Sequence, residues 1–134
     1  MLKRIFPFLV IVPLLLASMA SCSQGRQVVK PDDIVLVAPL PNSVVTSPLA
    51  VTGEARGFWF FEASFPVRLL DGNGNIMAEV PAQAQGEWMT ENFVPFAAEL
   101  DFSAPATSTG TLVLEKQNAA GLPNPEQMIV PVRF

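Results

Sequence analysis

Histidine and tyrosine are absent from these 134 residues, and cysteine occurs once. Without histidine the chain lacks the commonest general base near neutral pH and the commonest metal ligand. One thiol closes no intrachain disulfide and builds no cysteine-based zinc site. Serine chemistry is short of parts too: there is no G-x-S-x-G stretch, and Lys30 and Lys116 are the only lysines beyond the first few residues. Charged residues make up 15% of the chain, eight basic against twelve acidic. That balance argues against nucleic acid and against direct adhesion to anionic lipid head groups. No cofactor is expected, and no catalytic or metal-binding residue is assigned.

What is present begins at the N-terminus. Lys3 and Arg4 precede an apolar run from Ile5 to Ala17, and Met19-Ala20-Ser21-Cys22 follows. A basic start, a short apolar stretch and small residues at a cut form the layout of a secretory signal. The run falls short of the roughly 20 apolar residues that a membrane span needs. It is also interrupted by Pro7 and Pro13, each costing about 3 kcal/mol inside a helix. A lone cysteine after two small residues matches a bacterial lipobox, in which the thiol is acylated and becomes the mature N-terminus. Ordinary secretion after Ala20 is the rival, but it would leave a loose thiol in an oxidising compartment. The expectation is a signal peptide over residues 1–21 and palmitate-type lipidation at Cys22, giving contact with the lipid bilayer through that residue. A tether over 22–33 would hold one domain, 34–134, on the extracytoplasmic side of the cell membrane or outer membrane. Loss of Lys3 and Arg4 takes the formal charge from −4 to −6.

Beyond the tether the pattern has period two, broken by Gly, Pro and Asn. Strands are expected at Ile34–Val37, Leu49–Ala55, Ser64–Leu70, Ile76–Ala84, Phe96–Phe102, Thr111–Lys116 and Met128–Phe134. On the fourth, Ile76, Ala78 and Val80 are placed on one face; on the fifth, Phe96, Ala98, Leu100 and Phe102 oppose Glu99 and Asp101. Pro66 and Pro131 inside such runs point to sheet edges or bulges. Seven short alternating strands with no sustained 3.6 period predict an all-β, immunoglobulin-like antiparallel β-sandwich.

Ile34-Val35-Leu36-Val37-Ala38-Pro39 and Pro41-Asn42-Ser43 through Val51-Thr52-Gly53-Glu54-Ala55 resemble the opening of the bacterial spore-germination immunoglobulin-like domain, the second of the Gmad germination-associated domains. Phe60-Phe61-Glu62-Ala63, Val67-Arg68-Leu69-Leu70-Asp71, Gly110-Thr111-Leu112-Val113-Leu114-Glu115 and Ile129-Val130-Pro131-Val132-Arg133-Phe134 continue the similarity. The resemblance implies an extracytoplasmic all-β module of envelope lipoproteins, sometimes found beside a GerMN-type domain. Here it is expected to stand alone behind its anchor. It brings no catalytic residues with it.

Three constellations bear on function. Asp71-Gly72-Asn73-Gly74-Asn75 has oxygen side chains spaced like the start of a calcium loop, but Ile76 and Ala82 stand where an EF-hand needs Gly and Glu. A hairpin turn is the simpler reading. Glu99 and Asp101 are close enough along one strand to suggest a glycosidase pair, yet they belong to a solvated outer face. The run Phe58-Trp59-Phe60-Phe61 with Glu62 is the candidate ligand-binding segment. In an alternating strand two of its rings face the core and two face out, and exposed aromatics serve protein contacts or stack on sugars. The bland reading has the rings plugging the sandwich end against Trp88 or Phe93, with Glu62 paired to Arg56 or Arg68. Composition and motifs together predict a non-catalytic protein-binding or structural module of the cell envelope, its partner an unknown envelope protein or cell-wall polymer. The alternative is a carbohydrate or peptidoglycan-binding module that uses Phe58–Glu62.

Overall fold

Successive side chains of an extended chain point to opposite faces, and the structure turns that alternation into burial. The computed structural model describes residues 28–134. The signal peptide, Cys22 and the tether as far as residue 27 lie outside the described residues. Seven strands follow: β1 (Ile34–Ala38), β2 (Leu49–Arg56), β3 (Ser64–Asp71), β4 (Ile76–Ala84), β5 (Phe93–Leu100), β6 (Thr109–Glu115) and β7 (Gln127–Arg133). Leu49, Val51 and Ala55 of β2 are buried while Ala50 and Glu54 face out, and Phe65, Val67 and Leu69 of β3 are buried while Arg68 lies on the other face.

The pairings are antiparallel, in the order β1-β2-β5-β4-β3-β6-β7. The all-β expectation holds, as one hydrogen-bonded sheet that folds over on itself. The fold line is the short contact of β4 with β5, where Gln83 pairs with Ala97 and Ala84 with Phe96. Across the fold, Phe65 of β3 meets Phe96 of β5 edge to face, ring centroids 5.0 Å apart and planes at 74°. These strands are not sheet neighbours, so the contact joins two layers. Burying a phenylalanine is worth about 1.5–3 kcal/mol, and the described residues hold the layers together by such contacts.

Two irregularities change which residues face the core. Leu69 pairs with Ala78 and Leu70 with Ile76, leaving Met77 as an extra residue. This bulge turns Ile76 outward, where it is 59% exposed, and so corrects the expectation that it shares a face with Ala78 and Val80. In β1, Leu36 pairs with Gly53 and Ala38 with Thr52, so Val37 is the extra residue. Gly53 is required opposite it: an added Cβ would come within 3.0 Å of both the Val35 carbonyl oxygen and the Phe96 ring.

β5 starts at Phe93 and stops at Leu100, three residues earlier and two residues earlier than the pattern suggests. Phe102 still turns inward and reaches Phe134, with centroids 6.0 Å apart. Pro131 lies on β7, the last strand in sheet order, as expected. Pro66 does not lie on an edge strand or at a bulge. It sits in interior strand β3 opposite Pro81, just past the last β6 partner at Val67–Leu114, where its missing N–H breaks no ladder to β6.

The outer edge of β7 is covered by the chain's own earlier residues. Val29 and Ile129 exchange backbone hydrogen bonds of 3.0 and 2.9 Å. Farther along, the Asn42 N–H donates to the Pro131 carbonyl at 2.7 Å, the Arg133 N–H to Ser43 at 2.9 Å, and the Val45 N–H to Arg133 at 2.8 Å. Covering an edge in this way removes a template for unwanted strand pairing.

The β3–β4 hairpin is the turn that Asp71–Asn75 predicts. Asp71 Oδ1 accepts from the Asn73 and Asn75 backbone N–H groups, each at 2.9 Å, and Oδ2 accepts from Asn75 Nδ2 at 3.2 Å. The Asn75 N–H, foremost, holds this carboxyl below the usual aspartate range, although burial works the other way. The carboxylate thus serves to close the turn.

Candidate functional site

Because the seven strands pair antiparallel, three loops (57–63, 85–92 and 116–126) gather at one end of the folded sheet. Within the first, the four aromatic residues do not continue a strand. Gly57–Trp59 forms a single 3₁₀ turn, and its tighter winding separates neighbouring rings by about 120°. Trp59 is 0% exposed and Phe60 4%, whereas Phe58 and Phe61 are about half exposed at 47% and 48%. Two rings in and two out is the expected division, reached by a turn instead of by strand alternation.

The inward rings find Phe65. Trp59 stands edge-on to it at 5.8 Å between centroids, and Phe60 is tilted against it at 5.2 Å. Their packing makes Phe65 a partner that the expected plug did not name, beside Trp88, which is partly buried against the same core cluster. It also removes Trp59 from any direct contact with a ligand and leaves Phe60 only as a groove wall. The Trp59 indole N–H finds no acceptor among the described residues. Such an unpaired buried donor costs about 1–3 kcal/mol.

Glu62 and Ala63 follow with φ of 50° and 62°. Two successive left-handed residues make the kind of turn that suits a hairpin's twist, and it is closed by the Phe61 N–H to Ser64 carbonyl bond (2.9 Å) and its reciprocal (3.2 Å). Neither residue is Gly or Asn, so the conformation costs about 1–2 kcal/mol per residue. Strain of this kind gathers at functional positions, and here it holds Phe61 and Glu62 out into solvent.

The second loop lies directly on this turn. The Gly57 N–H donates to Asn92 at 3.1 Å, and the Thr90 N–H donates to Trp88 at 2.9 Å. A Cβ on Gly57 would come within 3.0 Å of the carbonyl oxygens of both Thr90 and Trp88. The third loop is tied in by the Gln117 N–H donating to the Trp59 carbonyl at 3.0 Å, and it is braced by reciprocal bonds between Asn118 and Leu122 at 2.7 and 2.9 Å. Between the first two loops runs an open groove of about 290 Å³, walled by Phe58, Phe60, Trp88 and Met89 and bordered by Thr90 and Glu91. Met89 is the groove residue that reading the sequence missed, and Trp88 was read only as packing. Their signal was a large apolar pair beside Gly86, between two strand patterns.

Electrostatics at this end are lopsided. Arg56 lies over the Phe93 ring at 4.0 Å, and its Nη1 donates to the Glu91 carbonyl at 3.4 Å. Lys116 Nζ stands 5.0 Å from the Phe58 ring centroid and 4.0 Å from Glu126. Arg68 bridges Glu79 at 3.4 Å and Glu115 at 3.1 Å on the sheet face. Glu62 therefore pairs with neither Arg56 nor Arg68, a correction to the expected pairing. Glu62, Glu87 and Glu91 are all exposed, and none forms an ion pair among the described residues.

Elsewhere, Glu99 sits on the outward face of β5 opposite Ala50, and Asp101 lies just past the strand; both are exposed. Among the described residues, no three His, Cys, Asp or Glu side chains are grouped to hold a metal.

An all-β sheet of this topology, with a glycine-dependent aromatic turn at one end, can be compared with known families. The family model of Gmad2, the immunoglobulin-like domain of bacterial spore germination, matches residues 33–121. The chain belongs to the Gmad2 family. In this Gmad2 domain the match takes in β1 to β6 and the groove loops 57–63 and 85–92. β7 lies beyond it, as does the similarity seen at residues 129–134, although Val130 and Val132 are buried in the same core. Searches of curated proteins and of solved structures return no match.

Proposed function

We propose that this Gmad2 protein is a lipid-anchored, extracytoplasmic, non-catalytic module that binds an envelope protein through the groove between Phe58 and Met89. The observation that carries the binding role is the groove itself. Half-exposed rings are held out by a strained turn and a glycine contact, with an apolar wall between them. Large apolar surface kept in water at a structural cost is characteristic of contact surfaces. The anchor rests on Met19-Ala20-Ser21-Cys22 and the short apolar run before it. From Cys22 to Val28 an extended chain reaches about 20 Å, so the domain would work close to the bilayer surface. Two or more acyl chains at the cysteine supply stable attachment where one would not.

Cys22→Ser should abolish metabolic acyl labelling and move the protein from membranes to the soluble extracytoplasmic fraction; unchanged membrane attachment refutes the anchor. For the groove, Phe58→Ser combined with Met89→Ser should eliminate a specific in-cell cross-linked product formed from a photoreactive residue at position 61. A product of undiminished yield refutes the groove as the contact. The glycan-binding alternative keeps one supporting observation, the half-buried indole of Trp88 beside Thr90 and Glu91. It requires that soluble peptidoglycan fragments change Trp88 emission, and a flat titration discards it.

A further inference from the structure

The rim of the groove narrows the chemistry of what fits it, given the binding role proposed above. The wall is apolar and includes the flexible thioether of Met89, which adapts to varied side chains. Glu91 borders the groove, and Glu62 and Glu87 lie on the two loops that enclose it; all three are exposed and form no ion pair among the described residues. The cations that border these loops are already occupied, Arg56 over Phe93 and Lys116 over Phe58 and beside Glu126. This end of the molecule thus already seats two cations on aromatic faces, an attraction that ring quadrupoles supply. A ring cancels no charge, so with Glu126 counted four carboxylates stand here against Arg56 and Lys116, a surplus of two negative charges.

We infer that the groove takes a polypeptide segment in which an apolar side chain is flanked by lysine or arginine. The apolar side chain fills the space between Phe58, Trp88 and Met89. The flanking cations face Glu62 on one side and Glu87 and Glu91 on the other. The same rim opposes anionic occupants: a phosphate-rich wall polymer or an anionic lipid head group would meet like charge. A neutral glycan would gain nothing from the carboxylates. Complementary charge of this exposed kind mainly sets partner choice and encounter rate.

The test titrates the protein, purified as the cell makes it, with three fluorescently labelled, end-blocked hexapeptides read by anisotropy. Their sequences are Lys-Lys-Leu-Phe-Lys-Lys, Ser-Ser-Leu-Phe-Ser-Ser and Lys-Lys-Ser-Ser-Lys-Lys. The first should bind on the order of tenfold more tightly than either of the others, since exposed charge pairs are each worth a few-fold. The triple variant Glu62→Gln/Glu87→Gln/Glu91→Gln should erase about that same tenfold, as should 0.5 M salt, because screening at that strength reaches within a few ångströms. Equal binding of the first and second peptides, or an unchanged affinity in the triple variant, overturns the charge inference and leaves the groove reading standing. Equal binding of the first and third peptides removes the apolar half of the inference. Tight binding of the first peptide that survives Phe58→Ser/Met89→Ser means that the groove is not the site, and the proposed function falls with it. Binding of none of the three overturns the inference, while the in-cell cross-link still judges the groove.

Discussion

Gly57 is where the groove and the stability of the domain meet, and replacing it by alanine tests both. The new Cβ would fall within 3.0 Å of two backbone carbonyl oxygens, those of Thr90 and Trp88, and within 3.0 Å of the Thr90 carbonyl carbon. Backbone cannot rotate aside as a side-chain tip does, so loop 85–92 must lift away. Overpacking of this kind costs about 1–3 kcal/mol. Lifting the loop also breaks or stretches the 3.1 Å bond from the Gly57 N–H to Asn92, worth about 0.5–1.5 kcal/mol. Gly57→Ala should therefore lose roughly 2–4 kcal/mol in urea denaturation. At about 4–8 °C per kcal/mol for a domain of this size, the melting temperature falls by at least about 8 °C. Trp88 emission should shift red as its loop opens, and groove-dependent binding should weaken in parallel. Gly86→Ala is the matched control in the same loop: its Cβ would meet nothing within 4 Å. It should stay within about 0.5 kcal/mol of the parent or gain slightly from a stiffer unfolded chain. If Gly57→Ala and Gly86→Ala melt alike, the close approach of the two loops is not what fixes the turn, and the account of the groove is wrong.

Other substitutions follow from the same geometry. Ala63→Gly should raise stability by about 1 kcal/mol, measured by urea midpoint, because glycine removes the left-handed penalty at φ 62°; a loss would show that the turn is unstrained. Trp59→Ala should cost about 3–5 kcal/mol as a core deletion, whereas Trp59→Phe should cost much less, since it also deletes the indole N–H that has no acceptor; equal losses would mean that this donor is satisfied after all. Asp71, whose carboxyl is held down in the folded state first by the Asn75 N–H, stabilises the fold above the unfolded aspartate pKa. That contribution disappears as pH falls below about 4. Asp71→Asn should lack this acid limb in a pH series of melting temperatures, and identical limbs would refute the assignment. Arg68→Met, which removes the bridges to Glu79 and Glu115, should cost under about 1 kcal/mol. The difference should shrink in 1 M salt; a larger, salt-insensitive loss would point to packing of the Arg68 stem.

Much of the fold was legible because the core is written in alternation. Leu49, Val51, Phe65, Val67, Leu69, Phe96 and Leu100 are buried as their spacing requires, and Asp71–Asn75 turns where its Gly and Asn residues permit. What could not be read were departures carried by neighbours in space. Nothing in Ile76-Met77-Ala78 announces a bulge, since the bulge depends on how Leu69 and Leu70 align against it. That seven strands share one sheet depends on two pairings at Gln83 and Ala84, which no local pattern encodes. In the site, the number of rings facing out was foreseeable, but their arrangement was not. Glu62 and Ala63 adopt left-handed angles without the Gly or Asn that normally signals them. Trp88 packs against the core cluster as read and also walls the groove, because Gly57 draws its loop over the aromatic turn. The proposed anchor belongs to residues that only sequence reasoning addresses.

The covering of β7 has a consequence for how the molecule is assembled. Val29, Asn42, Ser43 and Val45 each bond to Ile129, Pro131 or Arg133, so segments made early must wait for one made roughly a hundred residues later. Contacts that span so much chain are the slow ones to establish. A nascent polypeptide stopped after β6 would carry a bare sheet margin and loose N-terminal ends at the same time, and the arrival of one seven-residue strand quiets both.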